Sequence, residues 1–222
     1  MYAIIATGLK IMILFEKAET LSDAKSRGLA LRIHYDQWHR KSYTLYDAEW
    51  LDHDNTIMNL VELLEASMLA TITVKLPAEG EAYGAKEVVA SAAVKGYGPL
   101  LYDIVMHEED GLIPDREEVS NKARHVWSNY FHSRTDVEHL KLDNIYDPKT
   151  ATPVDDAMVH DDVDNVLDYA YVMKNYPSIG ALINNDLVII KKLLEKFDIS
   201  EEKFDKAFDV ASISFFEMKY YR

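Results

Sequence analysis

One segment of the sequence, residues 87–107, constrains the fold more than any other. A strand-like run, EVVASAAV, is followed by the turn KGYGP at residues 95–99 and then by apolar residues at helical spacing. A glycine-rich turn at the start of a helix exposes backbone N–H groups at the positive end of the helix dipole. Such a turn can hold a bound phosphate or pyrophosphate. The same pattern is equally consistent with a tight turn that has only a structural role and is followed by proline in the first helical turn.

The spacing within this turn excludes two classes of nucleotide-binding protein. It is shorter than the G-x-G-x-x-G dinucleotide motif, and it lacks the Lys-Ser/Thr ending of a phosphate-binding loop. The sequence has no G-x-S-x-G motif for a serine nucleophile. It also has no cysteine, which excludes thiolate zinc sites, iron–sulfur clusters, disulfides and a cysteine nucleophile.

Apolar periodicity along the rest of the chain predicts an α/β (α+β) fold. Alternating or continuous apolar runs indicate strands, and apolar residues three and four apart indicate amphipathic helices. We expect a helix cap at Asn55 and another at Ser120. The predicted strands are 9–15, 43–46, 72–76 and 87–94, and the predicted helices are 21–34, 57–68, 100–107, 120–130, 187–197 and 201–218.

The composition changes beyond Arg134, where the chain becomes polar. Seven Asp and a single Lys lie between residues 147 and 168, which predicts an exposed acidic loop leading into another helix. We therefore divide the chain into a domain at 1–134 and an extension at 135–222. Aromatic residues on the two last predicted helices need burial, either against the body or against a protein partner or second copy bound through residues 187–222.

The charge balance limits the partners and the location of the chain. With 24 Lys+Arg against 38 Asp+Glu, the formal net charge is -14, which repels nucleic acid. No apolar run approaches the roughly 20 residues of a membrane span, so we expect no membrane contact and a cytoplasmic protein. The acidic residues between 155 and 164 lack the glycine and terminal Glu of a calcium loop, so we predict no metal site.

The glycine-rich turn and a later helix resemble the GNAT superfamily of acyl-CoA-dependent N-acyltransferases. That family has an R/Q-x-x-G-x-G/A turn after a strand, and residues 93–98 (AVKGYG) match its two glycines. It also has a helix of the form N-x-x-A-x-x-L-Y, whose positions fall here on Ser120, Ala123, Val126 and Trp127. The sequence departs from the family at Ala93, which replaces Arg or Gln, and at Trp127, which replaces Tyr.

This resemblance implies a mixed, largely antiparallel sheet flanked by helices, with a helical C-terminal extension. It implies acetyl-CoA as the cofactor and acyl transfer to a primary amine of a protein or small molecule. Because an indole is not an acid, Tyr130, one helical turn further on, is the expected catalytic acid. A general base would come from residues near the turn, among which the sequence singles out none: Glu87, Asp103, His107, Glu108 and Glu109. The residues expected to bind the coenzyme are Val94, Lys95, Gly96, Tyr97 and Gly98.

A second interpretation stays open because both departures fall at positions that serve coenzyme and chemistry. The chain is also similar to GNAT-like proteins of tailed bacteriophages, which would place it in the host cytoplasm or the virion. On this interpretation it is a noncatalytic GNAT-like scaffold with a structural or host-interaction role. An acidic DNA mimic is a third alternative.

Overall fold

The computed structural model describes residues 4–7, 10–13, 20–35, 40–52, 58–157 and 165–220. Its strands are β1 (Ile4–Thr7), β2 (Lys10–Ile13), β3 (Leu29–Tyr35), β4 (Lys41–Asp47), β5 (Met68–Lys75), β6 (Lys86–Ala93), β7 (Leu112–Ile113), β8 (Val137–Lys141) and β9 (Tyr169–Met173). Its helices are α1 (Leu21–Ser26), α2 (Ala48–Asp52), α3 (Leu60–Ser67), α4 (Gly98–Glu108), α5 (Asn121–Ser133), α6 (Gly180–Phe197) and α7 (Glu201–Tyr220).

Seven strands form one sheet in the order β3-β4-β5-β6-β7-β9-β8. Every neighbouring pair in it is antiparallel except β6 and β7, which run parallel because α4 connects them. Strands β1 and β2 form a separate antiparallel pair. The predicted α/β class, with a largely antiparallel sheet, flanking helices and a helical C-terminus, is confirmed.

Helices cover both faces of the sheet, so its strands have a buried residue on each side. On one face, Tyr43, Leu45 and Ile72 belong to a core that also includes apolar residues of α4 and α5. On the other face, Tyr46 and Met68 pack in a second core with residues of α3, α6 and α7. The aromatic faces of the last two helices are therefore buried against the body of the chain.

A buried polar contact sets where the last two helices dock. The Tyr46 hydroxyl donates to Asp186 Oδ1 on α6 at 2.5 Å, and Arg32 Nη1 lies 3.5 Å from Asp186 Oδ2. The Arg32 guanidinium also lies 5.1 Å from the ring centres of Phe204 and Phe208 on α7. Burial raises the pKa of Asp186, and its hydrogen bond from Tyr46 and the charge of Arg32 oppose that shift.

The helix predicted at 21–34 is wrong beyond Ser26. Gly28 has a φ of +65°, a conformation that glycine adopts without strain, and the chain then enters β3. Leu29 and Leu31 belong to the α4 side of the sheet and Ala30 to the α7 side, so the apolar residues alternate with strand period. Because this strand is buried on both faces, its apolar run also fits helical spacing.

Two other expected boundaries differ from the structure. Helix α3 begins after Asn59, whose side chain accepts from the Glu62 amide, and the expected cap Asn55 lies outside the described residues. Of the expected strand 9–15, residues 10–13 form β2, and the rest also lies outside them. The strands expected at 43–46, 72–76 and 87–94 are confirmed as β4, β5 and β6, with shifted ends. The helix expected at 57–68 is confirmed as the shorter α3, the later helices are confirmed as α4 to α7 with shifted ends, and Ser120 caps α5 as expected.

The division of the chain at residue 134 does not match the sheet. Strands β8 and β9 lie beyond it and complete the same sheet, with β9 pairing both β7 and β8. The edge strand β8 has a polar sequence, VEHLK, that shows no apolar alternation. The buried strand β9 follows the acidic stretch, which we expected to lead into a helix. No described helix has the length and apolarity needed to cross a membrane.

The docking of α7 predicts a large energetic difference between two neighbouring residues of that helix. Phe208 is 1% exposed, whereas Val210 is 54% exposed. We expect Phe208→Ala to lower the free energy of unfolding by about 3 to 5 kcal/mol, because it removes a ring from a close-packed core. Val210→Ala should change it by less than about 0.5 kcal/mol. Urea unfolding measures both, and equal effects would contradict the docking described here.

Candidate functional site

A gap opens in the sheet where β6 separates from β7. The two strands pair only at Lys86 with Leu112 and at Glu87 with Ile113. A register shift then follows between β5 and β6, where Val89 has no partner of its own on β5. Such a bulge bends a strand and increases its local twist. The remainder of β6 therefore has no neighbour on its β7 side among the described strands.

Two adjoining cavities occupy this gap, and together we call them the cleft. The first has a volume of about 340 Å³ and the second about 320 Å³. Both are lined by Ser91 of β6, Tyr102 of α4, and Ser120 and Ala123 at the start of α5, so these four residues mark the middle of the cleft. The combined space is of the size that holds a small organic ligand.

The first cavity forms a basic end. Its lining includes Gly98 at the start of α4, Lys122 in the first turn of α5 and Lys219 near the end of α7. Among the described residues, no carboxylate lines this cavity, and neither lysine forms an ion pair. Lys219 Nζ lies 5.6 Å from the Phe215 ring centre. In a chain with a net charge of -14, two unpaired lysines beside a helix start favour an anion locally.

The turn before α4 contributes amides to this end. The Val94 amide donates to Leu69 O at 2.7 Å and the Tyr97 amide to Val94 O at 3.1 Å, so both are used within the fold. Within the described chain, the amides of Lys95, Gly96 and Gly98 form no backbone hydrogen bond. Of the five residues expected to bind a coenzyme, these three keep a donor available, and only Gly98 lines the cavity.

Gly96 and Tyr97 hold the turn in shape. Gly96 has a φ of +98°, which strains any residue with a side chain. The Tyr97 side chain points inward, is fully buried, and its hydroxyl accepts from Arg27 Nη1 at 2.7 Å. The Tyr97 side chain therefore packs in the core next to the turn and does not line the cleft.

Tyr102 is the phenol at the middle of the cleft. Its oxygen lies 3.0 Å from Ser91 Oγ in a hydrogen bond, and its ring packs edge-on against Trp127 at 5.3 Å. Burial raises the pKa of Tyr102 to about 12, with a smaller opposing effect from the Ser91 hydrogen bond. Tyr102 therefore keeps its proton at neutral pH.

Tyr130, the expected catalytic acid, lies away from the cleft. It is fully buried, and its hydroxyl donates to Asp103 Oδ1 at 2.8 Å. Arg134 also pairs with Asp103, at 3.2 Å. Burial and the Asp103 carboxylate together raise the pKa of Tyr130 well above its ordinary value. Tyr130 therefore lies in the core, and Tyr102 is the tyrosine that lines the cleft.

None of the residues considered as a general base lines the cleft. Glu87 accepts from the Arg116 amide at 3.1 Å and lies 3.5 Å from Lys75 Nζ. Glu109 pairs with Lys41 at 2.7 Å and accepts from Tyr43. The other three residues considered, Asp103, His107 and Glu108, are likewise absent from the cleft lining.

The second cavity forms an acidic end of the cleft. Asp115, Glu117 and Glu118 line it, together with the rings of Trp127 and Phe216. No basic side chain is part of this lining among the described residues. The cleft thus changes from basic to acidic along its length, with Tyr102 and Ser91 between the two ends.

Sequence reasoning missed most of this lining. Tyr102 lies about one helical turn after Gly98, so the two residues share a face of the helix. This spacing was the sequence signal that could have placed Tyr102 at the cleft. No comparable signal points to Lys219 and Phe216, which come from a helix more than a hundred residues away in sequence. Their contribution follows from the docking of α7 alone.

The acidic segment after β8 holds its own loop together. Asp143 Oδ2 accepts from the amides of Lys149 and Thr150, both at 2.7 Å. Asp155 accepts from the hydroxyls of Thr150 and Thr152. One carboxylate oxygen from each of Asp143, Asp155 and Asp156 lies within 4.8 Å of the others. Hydrogen bonds within the loop account for Asp143 and Asp155, whereas Asp156 Oδ1 is buried without a hydrogen-bond partner among the described residues. Residues 158–164, including the other acidic residues considered, lie outside the described chain.

The chain was compared with protein-family models, with curated proteins and with solved structures, and it matches none of them. A functional proposal therefore depends on the geometry and chemistry of the cleft.

The strained conformation of Gly96 predicts a difference between the two glycines of the turn. Gly96→Ala should lower the free energy of unfolding by about 1 to 3 kcal/mol because of its positive φ. A Cβ at Gly98 would meet only the Ala93 Cβ, at an ordinary 3.5 Å. Gly98→Ala should therefore change stability by less than about 1 kcal/mol. Urea unfolding of both variants checks this, and a Gly96→Ala protein as stable as wild type would contradict it.

Proposed function

We propose that this protein is an acetyl-CoA-dependent N-acyltransferase that acts on a primary amine. The observation that carries the proposal is the cleft between the separated ends of β6 and β7, which joins an anion-favouring end to an acidic end through Tyr102. The resemblance of the turn at residues 93–98 to the GNAT superfamily supports the same assignment. An acyl donor that carries phosphates and an amine that arrives as a cation, and loses a proton before its nitrogen attacks the thioester, suit these two opposite environments.

The basic end fits the phosphates of coenzyme A. Lys122 and Lys219 offer ammonium groups without an ion pair among the described residues, and the amide of Gly98 offers a neutral donor at the start of α4. When bound, acetyl-CoA supplies an acyl group activated as a thioester. Small side chains on β6, such as Ala92 and Ala93, leave room beside the strand.

Tyr102 is the residue that we propose assists the chemical step. Its phenol is protonated at neutral pH, and when Ser91 donates in their shared hydrogen bond, the Tyr102 O–H is left to donate to a ligand at the middle of the cleft. Negative charge that develops on a departing sulfur is stabilised by such a donor in a site that excludes water. The neighbouring Trp127 is 1% exposed and fixes the Tyr102 ring by an edge-on contact.

The noncatalytic scaffold is the second candidate. Ala93, at the position where the GNAT family has Arg or Gln, lines the cleft without a polar group, which favours this alternative. The burial of Phe204, Phe208 and Phe215 removes the reason for expecting a partner on those faces. The two candidates differ in one measurable property, which is binding of the coenzyme.

Acetyl-CoA titrated by calorimetry should bind wild-type protein, and Gly98→Trp should abolish the binding by filling the basic end of the cleft. Gly180→Trp is the matched control, because Gly180 also begins a helix and lies outside the cleft. Absence of binding by folded wild-type protein, or equal binding by Gly98→Trp, would overturn the proposal and favour the scaffold.

A charge-reversal pair tests the basic end separately. Lys122→Glu combined with Lys219→Glu should weaken acetyl-CoA binding by about tenfold or more. Lys191→Glu combined with Lys203→Glu changes the net charge equally at exposed positions outside the cleft. If both pairs weaken binding equally, the effect comes from net charge, and the cleft lysines have no specific role.

The role of Tyr102 predicts a loss of rate. With acetyl-CoA and butylamine, Tyr102→Phe should slow thiol release by about 10²-fold, with coenzyme binding unchanged. Tyr130→Phe removes a comparable buried hydroxyl that lies outside the cleft, and it should keep a higher rate than Tyr102→Phe while losing stability. The reverse order of rates would assign the role to Tyr130.

A further inference from the structure

We propose that the loop between β8 and β9 binds a divalent cation, Ca²⁺, through Asp143, Asp155 and Asp156. One carboxylate oxygen from each of these residues lies within 4.8 Å of the others. None of the three lines the cleft, so this inference is independent of the proposed transferase. The calcium-loop motif requires ligands from one contiguous segment, whereas the fold brings Asp143 to a pair that lies further along the loop.

The cluster concentrates negative charge where water has little access. Asp143 is 6% exposed and Asp155 is 9% exposed. Burial raises the pKa of Asp143, but hydrogen bonds from backbone amides outweigh this effect and lower it, so the carboxylate is ionised. No Lys, Arg or His of the described residues forms an ion pair with Asp143, Asp155 or Asp156, and the neighbouring Lys141 pairs with Asp168 instead. Carboxylates this close repel one another, and a bound cation would remove that repulsion.

Protein donors satisfy two of the three carboxylates and leave an oxygen of the third without a donor. Asp143 accepts from amides of the loop, and Asp155 accepts from its hydroxyls. Asp156 Oδ1 is buried and has no hydrogen-bond partner in the part of the chain that the structure describes. A buried carboxylate oxygen that has lost water and gained no donor is unfavourable, and a bound ion restores the missing interaction. This oxygen therefore points to a ligand, because the hydrogen bonds of the loop explain only the other two carboxylates.

The backbone holds the three carboxylates together. Asp143 and Asp156 form an isolated parallel bridge, and the Asp143 amide donates to Asp155 O at 2.7 Å. The Ala82 amide also donates to Asp156 O, at 2.9 Å. A Cβ at Gly80, whose φ is +75°, would lie 2.1 Å from Asp156 O, so this close approach requires glycine. The carboxylates cannot separate without breaking these contacts, so the fold itself forms the site.

The donor set favours a hard cation. All the candidate ligand atoms are carboxylate oxygens, and the cluster contains no His or Cys, which favours Ca²⁺ or Mg²⁺ over Zn²⁺ or Cu²⁺. Oxygens bound to one Ca²⁺ at about 2.3–2.6 Å lie at most about 5 Å apart, so the spacing fits. Hydrogen bonds restrain Asp143 and Asp155, and Ca²⁺ accepts an irregular geometry whereas Mg²⁺ requires a near-ideal octahedron. We therefore expect Ca²⁺ to bind more tightly than Mg²⁺.

Calorimetry with CaCl₂ on the purified protein, freed of metal by a chelator, tests the site. Wild-type protein should bind one Ca²⁺ with a Kd below about 1 mM. Asp156→Asn should weaken this binding by about tenfold or more, because it removes the charge of a ligand and keeps the shape of the side chain. Asp147→Asn is the matched control: it removes the same charge from an exposed residue of the same loop, and it should change the Kd by less than about twofold.

Thermal unfolding shows that the variant is folded and gives an independent result. Without metal, Asp156→Asn should unfold at a temperature no lower than wild type, because it removes repulsion and breaks no side-chain hydrogen bond within the described residues. At a Ca²⁺ concentration 100 times the wild-type Kd, wild type should gain about 5 to 10 °C and Asp156→Asn about half of that or less.

Three outcomes would overturn the inference. Folded wild-type protein could show no heat of binding at about 10 mM CaCl₂, which would mean that the cluster is not a site. The two variants could weaken binding equally, which would assign the effect to the net charge of the chain. Asp156→Asn could unfold at a lower temperature than wild type without metal, which would give the carboxylate a structural role alone. These titrations contain no coenzyme, so a failure here leaves the proposed transferase untouched.

Discussion

The short parallel contact between β6 and β7 is the constraint on which the rest of the structure depends. Two residue pairs hold the halves of the sheet together, and the bulge at Val89 directs the remainder of β6 away from β7. Continuous pairing would have filled this space with backbone hydrogen bonds. Separation instead leaves a cleft that α4 and α5 enter with their N-terminal ends, where backbone amides and lysines meet it.

The C-terminal helices have a structural and a chemical part in this arrangement. Their aromatic residues close one face of the sheet, and the contact among Arg32, Tyr46 and Asp186 fixes their position. Burying these polar groups is unfavourable unless each finds a partner, so the docked arrangement is specific. Near its end, α7 then supplies Phe216 to the acidic end of the cleft and Lys219 to the basic end.

The distribution of charge matters more for the site than the net charge of the chain. A formal charge of -14 opposes the approach of any anion from a distance, yet salt screens that field within about 10 Å. Inside the cleft, local groups dominate, and the basic and acidic residues are separated between two ends. The two ends of the cleft thus complement ligand groups of opposite charge.

The sequence alone determined the features that depend on neighbouring residues. The glycine turn at 95–98, the cap at Ser120, the strands around it and the amphipathic tail follow from local spacing and backbone preferences. Strands β3 and β9 were not predicted. Burial on both faces of β3 and the polar residues before β9 hide the alternation of apolar and polar residues that marks a strand. The sequence pointed to Tyr130, through the resemblance of its helix to that of the GNAT family, and it gave Tyr102 no role. Only tertiary packing turned Tyr130 toward Asp103 and brought Tyr102, Lys219 and Phe216 to one cleft, because contacts between distant segments depend on how whole elements dock.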